Sequence, residues 1–431
     1  MTKAKRFSPI LALLLLATAV LQACGSSSEA TSTPAPGGGT TPAAQAETTP
    51  TEQQAGATPQ ANQPTRPPGV AEKLTRLGLV LVTSGDNAVY GKSQRQAAEM
   101  AWKEIDAAGG INGAKIAAIF EDSVSKPDRA VTAFQKLINT DDVLAIIGPT
   151  LSNEALSADP EAQKAKVPVL GISNTASGIT DIGDFIFRDS LAESQVIPET
   201  VKQAKDKLGI AKVSILYAKD DAFSKSGYDV FKSELQKNNI QILSEQTFST
   251  NDTDFKPQLT AIKGENPDAI VVSALAKPAQ TILQQARGEV GIDTKIHIIG
   301  GNGFNSPAVL KAAGAAAEGL VVGAAWNSAA SDDLNKKFID AYKAKYGSVP
   351  DQFAAQSYAG FYILADAIKR ANLTDLTPKA LTQNRLKVRD ALKTTKDFPT
   401  VLGNFSFTDK RDANHPPVVQ IVKSGKFEVL K

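Results

Sequence analysis

From residue 73 to residue 431, short apolar runs alternate with stretches of helical period, and few architectures accommodate that order. A run at 77–82 precedes a predicted helix over 93–108, in which Ala97, Ala98, Ala101, Trp102 and Ile105 share one face. The Gly109-Gly110-Ile111-Asn112-Gly113 turn leads to a strand at 115–120. Helices near 130–139 and 154–164 then alternate with strands at 143–147 and 167–170. A second series follows Arg188, with strands at 212–217, 240–247, 269–272 and 295–299 among helices over 194–208, 227–237, 255–263 and 279–287. A strand ending at 325, helices near 333–346, 354–371 and 386–394, and a β-rich segment over 403–430 complete the chain. Repeated β-α-β order predicts an α/β protein of parallel sheets with helices on both faces. Two such lobes place a ligand cleft at the carboxyl ends of their strands.

The segment before residue 73 has a different character. Lys3, Lys5 and Arg6 precede an apolar run over 10–20, and Leu21-Gln22-Ala23-Cys24 follows directly. This reads as a signal peptide over 1–23, too short to span a bilayer comfortably. Its ending resembles a bacterial lipobox, which implies that the Cys24 thiol receives a lipid and becomes the first residue after cleavage. Residues 25–72 contain Ser, Thr, Pro, Gly, Ala and Gln but no aromatic residue and no Leu or Ile. Such a composition cannot offset the entropy of ordering, so 24–72 is expected to be a lipidated cysteine and a disordered tether spanning roughly 40 Å.

Composition removes several function classes. Lysine and arginine total 47 against 45 acidic residues, which gives no basic excess for nucleic acid. Cys24 is the only cysteine, so internal disulfides and cysteine-based metal sites are impossible. His297 and His415 are too few for a multi-histidine zinc site. Asp252-x-Asp254 lacks the spacing of a calcium loop and is read as helix capping. No Gly-x-Ser-x-Gly elbow, Walker loop or dinucleotide fingerprint occurs, so an enzyme is not expected, nor a metal or other cofactor.

Between about 74 and 431 the sequence resembles the periplasmic leucine/isoleucine/valine-binding proteins of ABC transporters. The matching segments include Ser84-Gly85 with Tyr90-Gly91, Asp106 to Gly113, Ile146-Ile147-Gly148-Pro149, Val167-Pro168-Val169-Leu170 and Asn266-Pro267-Asp268-Ala269-Ile270. The resemblance implies two Rossmann-like lobes with a three-strand hinge. It also implies lobe limits of 73–189 plus 325–410 and 190–324 plus 411–431. Ser152 and the Ser173-Asn174-Thr175 loop fall where the family holds a carboxylate and an amino-acid head group, Tyr90 where it presents an aromatic wall, and Phe223 where it carries a tyrosine. Phe353 and Trp326 are read as core residues. Asn302 stands where branched-chain receptors place an acid for the ligand ammonium, and the segment at Leu275 and Ala276 lacks the accompanying aromatic. Asp220 or Asp221 could compensate from the preceding second-lobe loop, but their default reading is solvated turn residues.

The expected function is therefore an exported, lipid-anchored receptor on the outer face of the cytoplasmic membrane, monomeric and without nucleic-acid partners. It would capture an amino acid or an amine-free carboxylic acid by hinge closure and present it to an ABC permease. A ligand-sensing lipoprotein uncoupled from transport is the alternative. Ser152→Ala and Thr175→Val are expected to weaken binding with little loss of stability.

Overall fold

The computed structural model describes residues 73–431. The expected signal peptide, the lipidation site at Cys24 and the tether lie outside the described residues. In the first lobe, β1 (Leu74–Leu81), β2 (Lys115–Asp122), β3 (Ala145–Ile147), β4 (Val169–Gly171) and β5 (Ile186–Arg188) form one parallel sheet. Its order is β2-β1-β3-β4-β5. Helices α1 (Ala88–Ala107), α2 (Pro127–Asn139) and α3 (Ser152–Ala165) connect the first four strands.

The second lobe repeats this winding. Strands β6 (Lys212–Ala218), β7 (Gln241–Phe248), β8 (Ala269–Ser273), β9 (His297–Gly300) and β10 (Leu320–Ala324) pair in parallel in the order β7-β6-β8-β9-β10. Helices α4 (Glu193–Leu208), α5 (Ala222–Lys237), α6 (Lys256–Glu265), α7 (Ala276–Gln284) and α8 (Pro307–Ala313) belong to this series. All five residues of β8 and of β10 are buried, as expected for strands covered on both faces.

Helices α9 (Asp333–Tyr346), α10 (Gln352–Ala371) and α11 (Leu381–Lys393) return to the first lobe. There Tyr358 and Tyr362 of α10 both donate to Glu104 of α1, at 2.5 and 2.8 Å. A small ribbon follows, made of β11 (Phe398–Thr400), β12 (Gly403–Phe407) and β13 (Ala413–Asn414). Finally β14 (Val418–Lys423) and β15 (Lys426–Val429) extend the second sheet antiparallel beyond β10.

The chain thus crosses between the lobes three times, at 189–192, 325–332 and 415–417. The last crossing differs from the expected limit at 410. Pairing of β13 with β12 keeps the chain in the first lobe to Asn414, and the Arg411 guanidinium donates to the carbonyls of Ile186 and Thr180. Three elements escaped the sequence pattern because they are short, the three-residue β5 and β11 and the seven-residue α8. Each lobe has its own core, but one apolar cluster crosses the cleft. Val82, Tyr90, Leu151 and Phe353 join Leu216, Val272, Ala274 and Phe304 within it.

Candidate functional site

In both sheets the winding reverses next to the first strand, between β1 and β3 and between β6 and β8. Loops at the carboxyl ends beside such a reversal leave a crevice, the usual ligand position in open α/β sheets. Here the two crevices face each other. The first lobe contributes Tyr90 from α1, Thr150, Leu151 and Ser152 after β3, and Ser173 after β4. From the second lobe come Phe223 after β6, Leu275 after β8, and Asn302 and Gly303 after β9. Phe353, at the start of α10, completes a cavity of about 20 Å³. That is room for roughly one water molecule, too little for a leucine-sized solute.

The first-lobe wall is held by a closed hydrogen-bond network. Gln94 donates through Nε2 to the Ser173 hydroxyl at 2.8 Å and accepts at Oε1 from the Thr150 hydroxyl at 2.7 Å. Ser173 in turn donates to the Thr150 carbonyl at 2.6 Å, and Thr150 Oγ1 accepts from the Val82 amide. Gly148 lets this loop pass close to β1. Its φ is +107°, and a Cβ there would lie 2.2 Å from the Val80 carbonyl oxygen. Ser152 Oγ accepts from the Thr175 and Ala176 amides at 3.2 and 3.3 Å, which leaves its own proton uncommitted.

Across the cleft, the buried Tyr90 hydroxyl donates to the Gly303 carbonyl at 2.6 Å. Burial, followed by the nearby Asp221 carboxylate, pushes the phenol well above its ordinary pKa and keeps it a donor. Asn153 donates from Nδ2 to Asp221 at 2.8 Å and accepts from the Ala222 amide at 2.9 Å. At the exposed edge, Lys277 pairs with Asp86 at 3.0 Å.

Asn302 is oriented by a chain of bonds that begins at the backbone. The Ala325 amide can only donate, and it does so to Gln352 Oε1 at 2.7 Å. Gln352 Nε2 therefore faces Asn302 and donates to its Oδ1 at 2.5 Å. The Asn302 carbonyl is thus engaged, and its NH2 group is the remaining hydrogen-bonding group.

Of the residues expected at the site, Tyr90, Ser152, Ser173, Phe223 and Asn302 meet at the cavity. Asn174 and Thr175 lie behind it. Asn174 is buried and donates to the Pro149 carbonyl, whereas the Thr175 hydroxyl donates to Glu193 at 2.7 Å. Phe353 lies on the cavity wall as well as in the core, with its ring 4.5 Å from that of Tyr90. Trp326 is buried and donates to Asn335 Oδ1. Asp220 is a turn residue bonded to Thr250, but Asp221 is not solvated. It caps α5 by accepting from the Ser224 amide, and burial raises its pKa.

Several supporting residues, Gln352 beside Asn302 among them, were missed from sequence. Gln94 and Thr150 form the wall network, and Gln94 carries a signal, because helical spacing from Ala97, Ala98 and Ala101 puts it on the apolar face. Arg188 and Glu193 had none. The buried Arg188 pairs with Asp412 at 2.6 Å and donates to the carbonyls of Asn174 and Ala176, fixing the loop behind Ser152. Burial pushes Glu193 up to about 7, opposed by the Thr175 hydroxyl and the Arg188 charge.

A family profile described as periplasmic binding protein matches residues 75–426. The leucine-, isoleucine-, valine-, threonine- and alanine-binding protein of Pseudomonas aeruginosa is 26% identical over 344 residues, covering 80% of this chain and 88% of that protein. The branched-chain amino acid transporter substrate-binding protein of Streptococcus pneumoniae, solved with isoleucine, is 31% identical with a TM-score of 0.76, covering 83% of this chain and 98% of that one. A solute-binding protein of an ABC transporter from Rhodopseudomonas palustris, solved with 3,4-dihydroxybenzoic acid, is 27% identical with a TM-score of 0.72, covering 83% and 95%. Family profile, sequence and fold agree over the same span, and the chain belongs to the periplasmic binding protein family.

Proposed function

We propose that this chain is the extracytoplasmic substrate-binding lipoprotein of an ABC importer, anchored through Cys24, and that it captures a small amine-free carboxylic acid. One observation carries the choice of ligand class. The uncommitted protons on the cavity wall belong to the Ser152 hydroxyl and the Asn302 amide, while the best acceptors for an ammonium, Asp221 and the Asn302 carbonyl, are already engaged. Two donors suit a carboxylate, and Tyr90, Phe223 and Phe353 suit a flat apolar body. The isoleucine and dihydroxybenzoate complexes of the related proteins bracket the expected solutes, and the benzoate class fits these walls better.

Capture follows from the hinge. A solute enters with the lobes apart and binds the first-lobe wall, and the lobes then close on it at a wider spacing than in the solute-free form, whose cavity behind the Tyr90–Gly303 and Asn153–Asp221 bonds holds only about one water molecule. The solute drives closure only by binding the closed form more tightly than the open one. The closed monomer is then the form presented to the permease.

Calorimetry with leucine, isoleucine, 4-methylpentanoate, benzoate and 3,4-dihydroxybenzoate tests the ligand class. The amine-free acids should bind more tightly than the amino acids. Tight binding of leucine with none of 4-methylpentanoate or the benzoates would refute it. Transport is tested separately by uptake of the bound acid in cells lacking the protein, where unchanged uptake would favour a sensor.

A further inference from the structure

Gln352 lines no part of the cleft cavity, yet it governs what the cavity wall shows to a ligand. It is buried at the first position of α10, and its side-chain amide lies between two partners of opposite demand. The Ala325 amide, directly after β10, can only donate and so takes Oε1; Asn302 Oδ1 then receives Nε2. Asn305 gives the same answer from within the second lobe. The Gly323 carbonyl can only accept and draws Asn305 Nδ2 to 2.6 Å, and that NH2 group also stands 3.4 Å from Asn302 Oδ1.

Two side-chain amides, each oriented by a backbone group, thus present donors to one oxygen. Turning the Asn302 amide by half a rotation would set its NH2 against two other NH2 groups and leave its oxygen without them. Gln352 belongs to the first lobe and Asn302 to the second, so the polarity of the second wall is decided from across the cleft.

We propose that Gln352 is the positioning residue that selects against an α-amino group: by holding the Asn302 carbonyl it turns the Asn302 NH2 towards the ligand, where an ammonium needs an acceptor. This rests on the amine-free ligand class proposed above. Matched pairs that differ only by the amine, leucine with 4-methylpentanoate and phenylglycine with phenylacetate, report the selection as a ratio of affinities in calorimetry.

Gln352→Glu keeps an acceptor for the Ala325 amide but sets a second acceptor against Asn302, whose NH2 must then turn to it and whose carbonyl must turn to the ligand. The ratio should move roughly tenfold towards the amino acid. Gln352→Met removes both bonds without adding charge, and with Asn302 released the ratio should move the same way by roughly threefold. Melting temperatures identify a folding failure, and either folded variant suffices. In an Asn302→Ala background Gln352→Glu should leave the ratio unchanged; a ratio that still moved there would assign the effect to the new charge and overturn the proposal. Wild-type preference for the amino acids would refute the ligand class and this inference with it. Wild-type preference for the acids, with ratios unchanged in the folded variants, would overturn the role of Gln352 and leave the ligand class standing.

Discussion

On the first-lobe wall, Thr150, Ser152 and Ser173 project hydroxyls whose partners lie within their own lobe. On the second-lobe wall, Phe223 and Leu275 present apolar surface, and the loop 301–304 adds one amide and a carbonyl. The strand order behind the two walls is the same. Topology therefore sets where a ligand sits, and the loop residues set what each side contributes. The polar contacts of the first wall lie within its own lobe, whereas those of the second are made with Tyr90, Asn153 and Gln352.

The sharpest way to break this division is at Gly303. A Cβ there would lie 2.2 Å from the Ala274 carbonyl oxygen and 3.2 Å from the Tyr90 hydroxyl. Gly303→Val should lower ligand affinity roughly a hundredfold, about 3 kcal/mol, by calorimetry. Retained affinity would mean that the second wall is not a latch.

The organisation of the first wall can be read from its pH dependence. Glu154 accepts from the Leu151 amide at the start of α3, and burial raises its pKa to about 7. Its unfolded pKa is about 4.3, so its contribution to stability is complete below that value and is lost as pH rises through 7. Glu193 and Asp351, raised by burial to about 7 and about 6, act with the same sign. His415, lowered to about 4 by burial, acts oppositely, with stability lost as pH falls from 6.5 towards 4. Glu154→Gln should reduce the stability lost between pH 5 and 8 by about 2 kcal/mol, as measured by urea unfolding at both values. Identical pH slopes in both proteins would remove Glu154 from the account.

Ser152→Ala separates scaffold from contact. Two backbone amides lose their acceptor, so a stability loss of about 1–2 kcal/mol should accompany weaker carboxylate binding. This revises the expectation of little stability loss, and Thr175→Val follows suit because its hydroxyl is bonded to Glu193. The smallest effect belongs to the exposed edge. Lys277→Ala breaks an ion pair whose side chains are more than half exposed, and should change affinity by less than about 0.5 kcal/mol in a salt titration.

Much of this was legible in the sequence because periodicity is local. The alternation of strands and helices, and the loops after them that carry Ser152, Ser173, Phe223 and Asn302, follow from spacing along the chain together with the family resemblance. Asn174 and Thr175 share the loop of Ser173 but turn away from the cavity, since a loop sequence does not reveal which way a side chain turns. Asp221 was misread for a related reason, as it is buried and meets Asn153 of the other lobe.

By itself the sequence determined the α/β class and two successive lobes, which are properties of local pattern, while the family resemblance placed hydroxyl-bearing loops at the cleft. Only the tertiary structure decided the strand order, the third crossing after Asn414, and the burial of Arg188 and Glu193 behind the site. It also decided the direction of the Asn302 amide, because that depends on a backbone proton at Ala325 and a side chain at Gln352, remote in sequence and adjacent in the fold. Hydrogen-bond direction propagates through such contacts, and no spacing along the chain encodes it.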